Sequence, residues 1–275
     1  MSLTVGTGPF GPRPAGRFNF EVETPTGAVL FWEPVPQRIR ATFAGETVVD
    51  STRTMLLHET KHLPVYYFPQ DDVRRDLLEA SERTSHCPHK GDARYWSLKA
   101  GGRTAPDAVW AYPEPMEPAA FLAGHLAFYW RALDEWFAED EQLHGHPRDP
   151  YSRIDVYRTT RRVRVLLDGE VLADSVRAKI LFETGLPPRY YFPPDDVRLD
   201  LLEPSSTLTR CAYKGAASHR HARVGGELHD DLAWCYPDPQ HDAEPVRDLI
   251  AFYNERVDIE VDGEQSERPV TQWSR

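Results

Sequence analysis

The sequence predicts a mainly β (α+β) protein made of two similar antiparallel β domains, each closed by a C-terminal helix. Three observations predict this. First, the chain repeats itself: VYYFPQDDVRRDLLEAS (65–81) falls on RYYFPPDDVRLDLLEPS (189–205) at an offset of 124 residues, and 37–131 overlies 161–255 without a gap. Second, apolar and polar residues alternate about turn-forming pairs, as in RVRVLLDGEVLADS around Asp168-Gly169. Third, 24 of the 275 residues are proline, which favours short elements and turns over long helices.

The elements follow in order. Residues 1–36 read as an N-terminal arm whose AVLFWEP stretch packs on a domain. The first domain spans 37–137, a polar linker containing proline runs over 138–160, the second domain spans 161–260, and 261–275 is a frayed tail. Within a unit, the Asp168-Gly169 hairpin precedes two strands, AKILFET and RYYFP. DDVRLDLLEP forms a short helix or turn into the next strand, and ARVGGELHDDLAWCYP is a second hairpin around Gly225-Gly226. A closing helix is expected from Leu122, Leu126, Tyr129, Leu133, Trp136 and Phe137, and in the second copy from Val246, Ile250, Tyr253 and Val257. The two repeats are expected to pack on one another within the chain.

Composition narrows the function. The formal net charge is -11, so no nucleic-acid partner is expected, because that mode needs a basic surface to displace phosphate counterions; a local basic pocket remains compatible. Three cysteines without a CxxC pair suit a reducing cytoplasm rather than a disulfide-stapled exterior. The N-terminus lacks the apolar core of an export signal and no apolar run nears membrane-spanning length, so neither export nor a membrane partner is expected.

The ordered set GE…DS…R, ET…YYFP…DVRxDLLExS, CxxKG and WxYP, present in both copies, resembles the DUF427 family, and 138–160 is similar to the joint of its tandem members. The resemblance covers about residues 37–260. It implies small, mostly antiparallel domains of Mss4-like, β-tent type. It carries a nucleotidyltransferase label but implies no established substrate.

The repeated CxxKG motif is the chemical centre of the sequence: SHCPHKG (85–91) and TRCAYKG (209–215). Gly91 and Gly215 are read as sharp or left-handed turns holding Lys90 and Lys214 at the edge of a concavity. Each lysine suits a phosphate, a ligand carboxylate or an ion pair with Glu59 or Glu183, which follow apolar strands. Arg74 and Arg198 of the DVR motif are candidates for a second cationic contact, or for pairing with neighbouring aspartates. Tyr66, Tyr67, Trp110 and Tyr112, with Tyr190, Tyr191, Trp234 and Tyr236, offer aromatic walls or core packing.

Cys87 is a candidate nucleophile beside His86 and His89, but Cys211 has Arg210 and Tyr213 there, so a Cys–His device would exist in one half alone. No metal is expected: paired CxxC clips are missing, and His219, His221 and His229 read as solvated. The paired acids Asp71-Asp72 and Asp195-Asp196 read as turn caps rather than magnesium ligands, and no phosphate-binding glycine loop supports the transferase label. No cofactor is expected.

Three readings result. The first is a binder of a small anionic or aromatic metabolite in an aromatic-lined pocket. The second is a transferase using Glu59 as base and Lys90 to stabilise negative charge. The third is a protein-interaction scaffold. Differences between the copies, such as Lys61-His62 against Gly185-Leu186 and Tyr95-Trp96 against His219-Arg220, point to one working pocket, with a slight preference for the first copy, or to a composite site between the copies.

Overall fold

A computed structural model describes residues 16–21, 27–271 and 273–274. The chain divides into two units, 1–149 and 150–275, and each is treated by itself. In the first, the strands are β1 (Leu30–Pro34), β2 (Ile39–Phe43), β3 (Glu46–Ser51), β4 (Met55–Glu59), β5 (Val65–Pro69), β6 (Leu78–Cys87), β7 (Gly91–Ala100), β8 (Arg103–Ala111), β9 (His125–Phe128), β10 (Glu135–Ala138) and β11 (Glu141–Leu143). They form a seven-stranded antiparallel sheet, β1-β4-β5-β9-β8-β7-β6, and a four-stranded one, β11-β10-β2-β3.

The second unit repeats this strand for strand: β12 (Ile154–Arg158), β13 (Val163–Leu167), β14 (Glu170–Ser175), β15 (Lys179–Glu183), β16 (Arg189–Phe192), β17 (Leu202–Cys211), β18 (Gly215–Val224), β19 (Glu227–Pro239), β20 (Ile250–Phe252), β21 (Asp258–Val261) and β22 (Glu264–Gln265). Its sheets run β12-β15-β16-β20-β19-β18-β17 and β14-β13-β21-β22. The chain is thus mainly β in two similar halves, as the sequence predicts. The Asp168-Gly169 hairpin joins β13 to β14 with φ of 50° and 84°, the left-handed pair that a two-residue hairpin turn demands.

Continuous apolar runs such as MLLHE and VYYFP are buried on both faces of the large sheet. Alternation sorts their side chains: Leu56, Tyr66, Phe68, Leu126 and Phe128 join β2, β3 and β10 residues in the core between the two sheets. Leu57, Tyr67 and Ala127 point the other way, into a second cluster with Ala93, Tyr95 and Tyr112. That second face carries the candidate site.

The expected closing helices do not form. In the first unit the segment is a 3-10 turn (Glu117–Leu122), β9, a second 3-10 turn (Trp130–Ala132) and β10. Gly124 turns left-handed there (φ 76°), as does Asp248 in the second unit (φ 59°), which also holds Pro245 inside its 3-10 turn; each breaks a continuous helix. HLAF alternates between the two cores with period two, and the helix-like spacing arose from strands interrupted by turns. DVRxDLL is a 3-10 turn leading into β6 and β17. The segment read as a linker, 138–160, contains β11 and β12, and β1 of the arm pairs with β4. Residues 1–15 and 22–26 of that arm lie outside the described residues.

Candidate functional site

The CxxKG motif forms the tip of the β6–β7 hairpin. The Lys90 amide donates to the Cys87 carbonyl at 3.3 Å, and Gly91 follows with φ +97°. The Lys90 carbonyl accepts from the Met116 amide at 3.0 Å, which ties the tip to the chain leaving β8. The second unit repeats this with Gly215 (φ +94°) and the Gln240 amide, 3.1 Å from the Lys214 carbonyl. Backbone packed against both glycines fixes where each lysine starts.

From that tip the Lys90 ammonium donates to the Glu59 carboxylate at the end of β4. The two side chains are 10% and 12% exposed, and Lys90 Nζ lies 5.7 Å from the Tyr112 ring centroid. Lys214 and Glu183 make the same pair in the second unit. So the acid and amine singled out in the sequence do converge, in both halves.

In the first unit they line a cavity of about 590 Å³. Tyr67, Trp110 and Tyr112 form part of its wall, and Cys87 also reaches it. Trp110 Nε1 donates to Tyr67 Oη at 3.3 Å, and the Trp110 and Tyr129 rings lie 4.6 Å apart. Burial pushes the Tyr67 and Tyr112 hydroxyls well above the usual tyrosine range, so both act as neutral hydrogen-bonding groups. Lys61 and Arg131 also face the cavity, and neither makes an ion pair among the described residues. The cavity therefore carries three lysine and arginine side chains, with His62 and His146 beside them, against one carboxylate.

Other candidates are placed elsewhere. Arg74 is clamped by Asp76 through two hydrogen bonds of 2.8 and 2.7 Å, and Arg198 is held by Asp200 in the same way; both sit half-exposed beside their 3-10 turns, away from the cavity. An aspartate two residues on bonds each guanidinium locally, which is the pairing the sequence also offered for Arg74. Tyr66 belongs mainly to the inter-sheet core and only borders the cavity, since it points opposite to Tyr67. Tyr190 lines a separate hollow of about 280 Å³ with Pro187 and Pro188.

Neither histidine flanking Cys87 turns toward the cavity with it. His86 is exposed and bonded to Asp92 at 2.6 Å, His89 is exposed, and neither lines the cavity. Asp72 and Asp196 accept from Ser51 and Ser175 and from Arg53 and Arg177, so they fasten turns. His219 is buried, not solvated: its Nε2 meets Thr209 Oγ1 at 2.9 Å, where the first unit has a Ser85–Tyr95 hydrogen bond of 2.7 Å, and burial lowers its pKa. Among the described residues, no three His, Cys, Asp or Glu side chains converge to hold a metal.

The family model of a domain of unknown function, DUF427, matches residues 31–139 and 155–263. The chain belongs to the DUF427 family. No curated protein matches it. Among the described residues, no helix is long and apolar enough to cross a membrane.

The two DUF427 copies differ where the cavity opens. In the second, Tyr191, Trp234, Tyr236 and the Lys214–Glu183 pair repeat their counterparts. Position 189, however, holds arginine where the first copy has Val65, and position 255 holds glutamate where the first has Arg131. Arg189 and Glu255 form a bidentate pair, both bonds 2.7 Å, with side chains 8% and 0% exposed. The Arg189 guanidinium lies 5.8 Å from Trp234, 5.9 Å from Tyr253 and 5.6 Å from Trp273. Thr271 donates to Glu255 at 2.6 Å, so the tail read as frayed is pinned here. Sequence reasoning missed this arrangement, although a signal existed: positions 65/189 and 131/255 change together, in charge, between otherwise matching copies.

Proposed function

We propose that the first DUF427 unit binds a small anionic or aromatic metabolite, with the Glu59–Lys90 pair as its polar anchor. The observation that carries this reading is the cavity of about 590 Å³, aromatic in its walls, with that pair buried in its lining. Its volume lies in the range of small-molecule sites, which combine apolar walls with a few convergent polar groups. Among the described residues the Lys90 ammonium has Glu59 as its one hydrogen-bond partner, which leaves donors for a ligand. Lys61, Lys90 and Arg131 give the cavity a positive bias on a chain of net charge -11, which favours an anion. The three free cysteines support a reducing, cytoplasmic setting.

The test is thermal denaturation against a panel of anionic and aromatic metabolites. A ligand at a hundred times its Kd adds about 2.7 kcal/mol of stability, which raises the melting temperature of the first unit by several degrees. Lys90→Ala should abolish the shift, whereas Lys214→Ala, which breaks the matching pair in the second unit, should leave it intact. A shift that survives Lys90→Ala would remove the anchor from the account.

A further inference from the structure

We infer that the occupant of the first unit's cavity is a planar aromatic acid, its ring beside Trp110 and Tyr129 and its anionic group toward Arg131 and Lys61. The inference rests on the binding reading above and narrows it to one ligand class.

The duplication supplies the comparison. Both units hold the same aromatic pair: Trp110–Tyr129 and Trp234–Tyr253 each have centroids 4.6 Å apart, tilted by 41° and 49°. In the second unit the chain fills the space beside this pair itself. The Trp273 indole lies 6.3 Å from Tyr253, and the Arg189 guanidinium lies within 6 Å of all three rings. The fold thus accepts a planar ring and a flat cation against that pair. In the first unit, Val65 removes the guanidinium, and Trp110 and Tyr129 border open space instead.

Charge completes the argument. In the second unit the cation is neutralised by Glu255, a carboxylate supplied by the chain. The first unit has Arg131 at that position and Lys61 where the second has Gly185, both on the cavity and neither ion-paired among the described residues. Its one lining carboxylate, Glu59, is already bonded to Lys90. Relative to its twin, the first site has no counterpart of the Trp273 ring against Tyr129 among the described residues and carries uncompensated positive charge, and an aromatic acid supplies both a ring and a negative charge. A carboxylate or phosphate on such a ring can accept from the Arg131 fork.

The experiment is calorimetric titration of the full chain with three probes: indole-3-acetate, its cationic counterpart tryptamine, and the non-aromatic cyclohexylacetate. Indole-3-acetate should bind with one site per chain, and each of the others at least about tenfold more weakly. Arg131→Glu, a surface change, should weaken indole-3-acetate by about tenfold or more. Val65→Arg, which installs the second unit's arginine, should abolish binding while the circular dichroism spectrum is retained. Equal or tighter binding of tryptamine or cyclohexylacetate would overturn the inference. So would an unchanged affinity in Arg131→Glu, or no heat from any probe at millimolar concentration. If those arms fail while Lys90-dependent stabilisation by other metabolites persists, the binding reading stands and the ligand class alone falls.

Discussion

Lys90 bonds Glu59 although three strands, β5, β9 and β8, separate β4 from β7 in the sheet. In a flat sheet, four strand spacings of about 4.8 Å would hold their backbones about 19 Å apart. Contact between the side chains requires the sheet and the β6–β7 hairpin tip to bend toward β4 on one face. The pair is both a product of that curvature and a strut across it, and its repetition as Lys214–Glu183 shows that the geometry belongs to the fold rather than to one copy.

Breaking the strut should therefore destabilise. Removing one partner leaves a largely buried, uncompensated charge, which costs about 3–5 kcal/mol. Lys90→Met should show a loss of that order in urea denaturation. The double variant Lys90→Met/Glu59→Leu should lose less, because no lone charge remains.

The glycines after the two lysines should tolerate no side chain. An alanine Cβ at Gly215 would sit 3.0 Å from the Asp238 carbonyl, and one at Gly91 3.4 Å from the Glu114 carbonyl, both in left-handed backbone. Each Gly→Ala change should cost about 1–3 kcal/mol, with Gly215→Ala the worse because its backbone contacts are tighter. Chemical denaturation of the two variants gives the order.

The second unit should depend on Arg189 for stability and not for ligand binding. Arg189→Leu leaves the fully buried Glu255 without its guanidinium, and a loss of about 3–5 kcal/mol is expected. Hydrogen exchange of the β16 and β20 amides should report it, while the response of the first unit to ligand stays unchanged.

Acid should loosen the turn fastened by Asp196. Its hydrogen bond from Arg177 holds the carboxyl below the ordinary aspartate range, with Ser175 adding to the effect. A folded-state pKa below the unfolded one gives stability that is present above about pH 4 and is lost as pH falls through the folded value. Asp196→Asn should lower stability at neutral pH and flatten this acid dependence, read from melting temperatures between neutral and acid pH.

Much of this arrangement was legible in the sequence, because the chain carries its own second copy. The repeat gave the two units, the Asp-Gly and Gly-Gly pairs gave hairpins, and the shared positions of Glu59/Glu183 and Lys90/Lys214 made their meeting foreseeable. The closing helix was misread for a physical reason: in 122–137, strand alternation broken by 3-10 turns mimics helical spacing, and Gly124 at φ 76° is the break. For Arg74 the sequence left a ligand contact and pairing with a neighbouring aspartate both open, and the local turn geometry that brings Asp76 to it is not given by spacing alone. Tyr129 and Arg131 were hidden inside the imagined helix. The Arg189–Glu255–Trp273 cluster joins residues far apart in the chain, and its trace in the sequence was the paired change against Val65 and Arg131.

The most direct measurement is mass spectrometry of the ligand retained after passing a metabolite extract over wild-type chain, Lys90→Ala and Lys214→Ala. Wild type and Lys214→Ala should retain a small acid, and Lys90→Ala should lose it. Equal retention by Lys90→Ala, or equal loss from Lys214→Ala, would contradict a working site built on the first unit's buried pair.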